Sequence, residues 1–306
     1  MVNILKQEAL LHGDRLEILP VERLQDLKGE IDVFENSEKL NNFQKWIVNR
    51  LYNFTLPGGG FTVKSIILAA IPHPAYAKVQ FAKNGVKYDL LSLVRSDFES
   101  NEKYLHEFIT ERGYNIKAAP NLPMKRLAVK CGLAVYGRNN ITYVDGMGSY
   151  FSFTAYYTDL PCETDNWVRI QHAEICDKCK ICFNNCPTGA IRKNRFLIDN
   201  EKCLSYLNEN AGDFPEWLPV SVHHCVYDCL KCQIPCPMNR PYKDNVLESI
   251  KFNEDETDML LNGVNFDEFP SEMKLKVKML GMDEWIDAIP RNLKVLLDID
   301  QLGHDL

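Results

Sequence analysis

Nine of the eleven cysteines lie between Cys176 and Cys236, and their spacing is that of iron–sulfur ligands. The first run is a C-x2-C-x2-C-x3-C-P pattern that begins at Cys176 and ends at Cys186. Its first three thiolates can bind one [4Fe–4S] cube, while the fourth, held before a proline, points to a second cube. The second run, from Cys229 to Cys236, needs one more cysteine from upstream. The pattern predicts a protein that transfers single electrons.

The ligand exchange of two-cluster ferredoxins assigns these cysteines to two clusters. Cluster I is predicted to take Cys176, Cys179, Cys182 and Cys236. Cluster II is predicted to take Cys186, Cys229, Cys232 and either Cys203 or Cys225. The spacing leaves that last choice open.

Two other uses of such cysteines are disfavoured. C-x2-C pairs also build tetrahedral zinc sites, but these usually take two cysteines from each of two knuckles and seldom contain two runs ending in Cys-Pro. A disulfide framework is typical of small secreted chains, whereas this chain has 306 residues. The spacing therefore favours iron–sulfur clusters.

The composition describes an ordinary globular protein. Hydrophobic residues make up 45% of the chain and charged residues 25%, which is typical of such proteins. The first residues lack the features of a signal peptide, and no apolar run has the length of a membrane span. We therefore expect a cytoplasmic location and no membrane contact. The net charge of −7 argues against nucleic acid as the main partner.

The hydrophobic pattern divides the chain into three segments. Residues 1–164 alternate between helices and strands, which predicts an α/β (α+β) domain with a layered sheet and a helical start. Its strands include the apolar run Ser65–Ile71 and the alternating stretch Tyr150–Thr158. Residues 165–240 predict a ferredoxin-like double [4Fe–4S] domain, and residues 241–306 a short acidic helical tail.

Two local patterns predict details of helices. Phe43, Trp46, Ile47 and Leu51 recur at helical spacing, which predicts a buried stripe. Ser96 with Glu99 predicts a capping box at the start of a helix that ends near Gly113.

Segments on both sides of Cys176 resemble one family, the cobalamin-dependent epoxyqueuosine reductases and their reductive-dehalogenase relatives. Leu127–Leu133 followed by Gly137-Arg-Asn139 is similar to the family pattern L-A-E-x-A-G-L-G-x-x-G-K-N. Gly148–Phe151 resembles its G-S-W-F, and Cys203–Leu207 resembles its C-I-S-Y-L. The landmarks keep the family's order and cover roughly residues 60–245, so together they are more specific than any single motif.

The resemblance implies a base-off cobamide reduced through the clusters, with electrons supplied by a ferredoxin or flavodoxin. It assigns Cys203 to cluster II and makes Cys225 a bystander. It also implies that the cobamide is bound near the family's landmark residues. These are Gly137, Arg138, Asn139, Gly148, Ser149, Tyr150 and Phe151.

The chain departs from the family at two places. Epoxyqueuosine reductases have an aspartate in the pattern V-D-S-A-P, whereas residues 115–130 contain no carboxylate here. Lys117, Tyr136 or Tyr150 is therefore predicted to supply the proton, Lys117 only if burial lowers its pKa. The acidic residues 241–306 also leave little room for the family's helical repeats, which makes transfer RNA an unlikely partner.

Three functions follow. The favoured one is a cobalamin- and [4Fe–4S]-dependent oxidoreductase that acts on a small or unidentified substrate. The second is an epoxyqueuosine reductase. This function would be favoured by a basic patch formed from Lys125, Arg126, Lys130, Arg138 and Arg192. The third is a non-catalytic electron carrier that keeps a partner corrinoid protein reduced.

Overall fold

The computed structural model describes residues 1–35, 37–74, 76–193, 197–242 and 245–304. The chain forms two compact units. The first contains Met1–Pro72 and Ser96–Lys180, and the second contains His73–Arg95, Ile181–Lys193 and the chain from Ile198 onward. This division differs from the predicted three segments, because an early hairpin belongs to the second unit. No helix among the described residues is both long and apolar enough to span a membrane.

The chain has nine strands in its described parts. In chain order they are β1 (Arg15–Pro20), β2 (Ser65–Pro72), β3 (Tyr76–Lys83), β4 (Val86–Leu93), β5 (Ile116–Ala118), β6 (Ala134–Tyr136), β7 (Thr142–Val144), β8 (Phe151–Thr158) and β9 (Val246–Phe252).

Ten α-helices lie in the same described parts. They are α1 (Val2–Leu11), α2 (Arg23–Glu35), α3 (Asn42–Trp46), α4 (Phe98–Thr110), α5 (Met124–Lys130), α6 (Ile181–Asn185), α7 (Leu204–Glu209), α8 (Glu254–Leu261), α9 (Ser271–Met279) and α10 (Ile289–His304).

The first unit is built on a four-stranded sheet in the order β1-β2-β8-β5, in which every pairing is antiparallel. Ile66 and Leu68 of β2 face one apolar core with α2 and α5. Ile67 and Ala69 face a second core with α1 and α4. Because both faces are covered, β2 is apolar throughout, and the strand predicted there is confirmed. The layered arrangement is confirmed as a mixed α/β fold with an antiparallel sheet.

The local predictions in this unit have mixed outcomes. The alternation in β8 is confirmed, since Ala155 and Tyr157 belong to one core and Tyr156 to the other. The buried stripe is wrong: Trp46 is 50% exposed and stacks on Phe43 at the surface. The capping box is also wrong, because Asp97 caps α4 by accepting from the Ser100 amide. The strand β1 was missed within the predicted helical start.

The second unit has a three-stranded sheet in the order β4-β3-β9. β3 and β4 form a hairpin whose Asn84-Gly85 turn has positive φ at both positions, a geometry that Asn-Gly favours. β9 then pairs with β3 in parallel. The helices predicted after residue 241 are present as α8, α9 and α10, but they are no separate tail. They pack on the sheet in one core, where Phe81 and Phe252 stack at 5.0 Å.

Candidate metal centre

The first two predicted cluster ligands lie at the end of the first unit. Cys176 is buried in a short 3-10 turn, Glu174–Asp177, where its amide donates to the Ala173 carbonyl at 3.0 Å. The Arg138 guanidinium donates from Nε to the Cys179 carbonyl at 2.9 Å and from Nη2 to the Cys176 carbonyl at 2.5 Å. One side chain thus spans the C-x2-C loop.

Arg138 is presented by the turn between β6 and β7. The Gly137 amide donates to Ile141 O at 2.8 Å, which closes the turn. A Cβ on Gly137 would lie 2.5 Å from Cε2 of Tyr143, so only glycine fits beside this ring. Asn139 is buried and donates to the Tyr143 hydroxyl at 3.1 Å. The polar residues of this turn therefore shape the turn itself.

The second unit brings together three cysteines of the predicted cluster II. Cys186 follows α6, and Cys203 stands directly before α7. Burial raises the pKa of the Cys203 thiol, and the nearby sulfurs of Cys229 and Cys186 raise it further. Residues far apart in sequence are thus close enough in space to interact. Cys232, which spacing assigns to the same cluster, is half-buried.

Cys225 is also close to this group. It is buried, and its thiol lies close enough to Cys229 to lower the pKa of the Cys229 thiol. The Asn208 amide donates to Cys225 Sγ at 3.5 Å. His224 places Nε2 at 2.9 Å from the Cys229 carbonyl. Proximity to Cys229 therefore does not separate Cys203 from Cys225, and the choice of Cys203 stays a prediction from the resemblance.

The loops around Cys203 and Cys225 are held by α10. The buried Asn292 donates from Nδ2 to the carbonyls of Asn208 and Val226, both at 2.7 Å. Next to it, Arg291 donates to the Leu207 carbonyl at 2.8 Å and lies over the Phe214 ring at 3.7 Å. Nothing in the sequence pattern indicated these roles, because both residues lie more than 60 positions from the loops that they hold.

The cysteine sets fit [4Fe–4S] clusters by their chemistry. All eleven cysteines are free thiols, so each predicted ligand can bind iron as a thiolate. In the described ranges, no three His, Cys, Asp or Glu side chains converge as the ligands of a single metal ion would.

The residues predicted to bind a cobamide make contacts within the first unit. Arg138 and Asn139 use their polar groups in the loop and turn described above. Gly148 adopts φ +61° and donates to the Val144 carbonyl at 3.0 Å. Ser149 and Tyr150 are buried, and Phe151 packs edge-on against Phe153. The polar groups of Arg138 and Asn139 thus have partners within the protein, and the cobamide contacts implied for this turn stay a prediction.

The three predicted proton donors lie in different surroundings. Lys117 is exposed on β5, so it lacks the burial that would turn an ammonium into a useful acid. Tyr136 is 8% exposed in the core beside β2, and burial raises the pKa of its hydroxyl. Tyr150 is 6% exposed. The two tyrosines are therefore buried hydroxyl groups of the first unit, whereas Lys117 is exposed.

The predicted basic patch is largely engaged in internal contacts. Glu30 binds Arg126 at 2.6 Å and Lys130 at 2.8 Å. In the second unit Arg192 lies 3.7 Å from Asp199. The ion pairs of Glu30 are not predicted by the sequence pattern. The spacing of Arg126 and Lys130, one helical turn apart in α5, was the available signal for a shared partner.

Comparison with known proteins agrees with the cysteine pattern. A family model described as a 4Fe-4S double cluster binding domain matches residues 175–239. The chain contains a double [4Fe–4S] domain. This match favours iron–sulfur clusters over the zinc and disulfide alternatives.

Curated relatives carry the same name as the predicted family. The epoxyqueuosine reductase of Aliivibrio fischeri is 32% identical over 172 residues, which cover 55% of this chain and 44% of the relative. That of Escherichia coli is 36% identical over 126 residues, which cover 41% and 32%. The predicted resemblance to epoxyqueuosine reductases is confirmed. The matched part spans less than half the length of these relatives.

Solved structures show the same fold. Epoxyqueuosine reductase from Bacillus subtilis aligns with a TM-score of 0.65 at 18% identity, covering 97% of this chain and 82% of that one. An epoxyqueuosine reductase crystallised with an epoxyqueuosine-modified tRNA-Tyr stem loop aligns with a TM-score of 0.63, also at 18% identity, with the same coverage of 97% and 82%. At this identity the likeness concerns the fold.

Proposed function

We propose that the protein is an iron–sulfur reductase of the epoxyqueuosine reductase type and acts on epoxyqueuosine in a transfer RNA. The observation that carries this proposal is the match of residues 175–239 to a 4Fe-4S double cluster binding domain, in which every cysteine is a free thiol. Two such clusters transfer single electrons. The names of the relatives supply the substrate class.

The substrate class replaces the first expectation from sequence. That expectation was a small or unidentified substrate, with transfer RNA unlikely, and it rested on net charge and on the acidic residues 241–306. The relatives speak against it: the curated ones are named epoxyqueuosine reductases, and a related structure holds a tRNA stem loop. Net charge is a weak guide here, because a local surface rather than the whole chain meets a phosphate backbone.

In this proposal the chain's own cysteines bind the two clusters through which the electrons pass. Cluster I is bound by Cys176, Cys179, Cys182 and Cys236, and cluster II by Cys186, Cys203, Cys229 and Cys232. A ferredoxin or flavodoxin supplies single electrons. A base-off cobamide, implied by the resemblance, would supply the low-valent cobalt that reduces the substrate.

The proton that reduction requires is assigned to a tyrosine. Residues 115–130 contain no carboxylate, and Lys117 of that segment is exposed. Of the remaining candidates, Tyr136 and Tyr150, we assign the role to Tyr136, because it ends β6 directly before the turn that carries Arg138.

The experiment is an anaerobic reconstitution followed by turnover. The full chain is loaded with iron, sulfide and hydroxocobalamin, desalted, and analysed for metals and for the cobalt(II) EPR signal. It is then given reduced flavodoxin and epoxyqueuosine-containing tRNA, and the nucleosides are identified by mass spectrometry. We expect about eight iron and one cobalt per chain, and conversion of epoxyqueuosine to queuosine.

Each other result points to a different function. If cobalt is retained but the tRNA is not converted, the substrate would instead be a small molecule. The absence of a carboxylate from residues 115–130 favours this alternative. Eight iron atoms without retained cobalt would leave the electron carrier that serves a corrinoid protein. Loss of iron as well would overturn all three readings.

A further inference from the structure

We propose that Arg138 is a positioning residue for iron–sulfur cluster I, in which it fixes the loop of two ligands and favours the reduced cluster by its charge. The inference rests on the cluster part of the proposed function and is independent of the substrate. It assigns Arg138 a role different from the cobamide contact implied by the resemblance.

The first support is the bidentate contact with the ligand loop. The guanidinium donates to the carbonyls of both Cys176 and Cys179, at 2.5 and 2.9 Å. A guanidinium is rigid and planar, so its N–H donors have fixed positions. Two carbonyls that accept hydrogen bonds from one guanidinium are therefore held at a fixed separation and in fixed directions. The backbone that carries both thiolates is therefore held in one conformation from its carbonyl side.

The second support is the rigid mounting of Arg138 itself. The strand β6 is joined to the segment before the loop by two backbone hydrogen bonds. In these, Tyr136 N donates to Gln171 O at 3.0 Å and Ala173 N donates to Tyr136 O at 2.8 Å. The turn that follows is closed around Gly137, whose lack of a side chain lets Tyr143 pack against it. The arginine and the loop are thus fixed to each other by both backbone and side chain.

The third support is the charge of Arg138. A guanidinium stays protonated in proteins, so this charge is permanent. Within the residues that the structure describes, no carboxylate forms an ion pair with it, and the partners shown are the two carbonyls. Reduction of a [4Fe–4S] cluster adds one electron and therefore one negative charge. A fixed cation at the ligand loop stabilises that reduced state and raises the reduction potential.

The test separates the charge from the geometry. Arg138→Gln removes the charge, while Arg138→Lys keeps the charge but cannot donate to both carbonyls from a planar guanidinium. Arg112→Gln is the matched control, because Arg112 belongs to the same unit and donates to a backbone carbonyl, that of Phe108, in α4. Each full-length protein is reconstituted anaerobically, analysed for iron, and titrated with dithionite while the cluster EPR signals are followed.

We expect Arg138→Gln to make the reduction equilibrium of one cluster about tenfold less favourable, a shift of about 59 mV to more negative potential. Arg138→Lys is expected to keep most of the potential but to lose iron faster during incubation with a chelator. The other cluster and the Arg112→Gln protein are expected to behave as wild type.

Two results would overturn the inference. One is an Arg138→Gln protein with unchanged potentials and unchanged iron retention. The other is an equal shift in Arg112→Gln, which would show a general effect of net charge. If wild type itself binds no iron, the proposed function fails first. An Arg138→Gln protein that does not refold leaves Arg138→Lys to decide by its rate of iron loss.

Discussion

Lys130 Nζ lies 2.8 Å from Glu30 Oε1, and the lysine is only 7% exposed. Glu30 also accepts from Arg126 Nε at 2.8 Å, so one carboxylate serves two cations. Burial alone would raise the pKa of Glu30, but the hydrogen bonds from Lys130 and Arg126 outweigh it and lower the pKa below its ordinary value. The Glu30 carboxylate therefore balances the positive charge of the nearly buried Lys130 ammonium beside the core of the first unit.

Glu30→Gln is expected to lower the free energy of unfolding by about 2 to 3 kcal/mol, because it leaves the Lys130 charge without its carboxylate. Urea unfolding at pH 7 measures this. Glu22→Gln, at an exposed glutamate, should change stability by less than about 0.5 kcal/mol. Adding Lys130→Met to Glu30→Gln should restore part of the loss. Equal stability of Glu30→Gln and wild type would contradict the role of the pair.

The same carboxylate predicts a pH dependence. Because the folded-state pKa of Glu30 is lowered, its stabilising contribution is present above the ordinary value of 4.5 and is lost as the pH falls through the folded pKa. Unfolding curves between pH 7 and pH 3 should therefore converge for wild type and Glu30→Gln. A constant difference across this range would show that the ion pair does not produce it.

Cys203→Ala is expected to remove one cluster, leaving about four of about eight iron atoms per chain, whereas Cys225→Ala should keep all of them. The reason is that the resemblance assigns Cys203 to cluster II and makes Cys225 a bystander. Iron analysis after anaerobic reconstitution distinguishes these outcomes. The control is Cys131→Ala, because Cys131 is a buried cysteine of the first unit. Equal iron loss in the Cys203 and Cys225 variants would refute the assignment of ligands.

Asn292→Ala is expected to destabilise the second unit by about 2 kcal/mol, because the carbonyls of Asn208 and Val226 lose their donor. Iron should also be released faster, since these loops lead to Cys203 and Cys229. Asn262→Ala, at the exposed end of α8, is the control. Unchanged iron release in a clearly destabilised Asn292→Ala protein would show that α10 supports the fold without supporting the cluster loops.

Tyr136→Phe is expected to lower turnover of epoxyqueuosine tRNA about 100-fold if its hydroxyl supplies the proton. Iron content and stability should stay near wild type, because the ring remains in its core. Tyr157→Phe, in the same core, serves as control. A loss confined to Tyr150→Phe would move the assignment to that residue.

The double [4Fe–4S] domain could be predicted from sequence because a cluster imposes short, fixed spacings on thiolates. The cysteines from Cys176 to Cys186 lie in one short stretch of sequence, and the Cys-Pro ending is a local constraint. The buried strand β2 could be read for a related reason, since a strand covered on both faces must be apolar at every position. The same holds for the alternation in β8, which divides its residues between two cores.

The tertiary structure decided which residues serve these elements from a distance. The exposed stripe at Trp46 has the same spacing as a buried one, because periodicity defines a face of a helix but not what covers it. β9 joins β3 across more than 160 residues, which turns a predicted tail into part of the core. Arg138, Glu30 and Asn292 likewise act on partners 38 to 96 positions away. Local sequence records the chemistry that a residue can perform, whereas long-range packing determines the partner on which it acts.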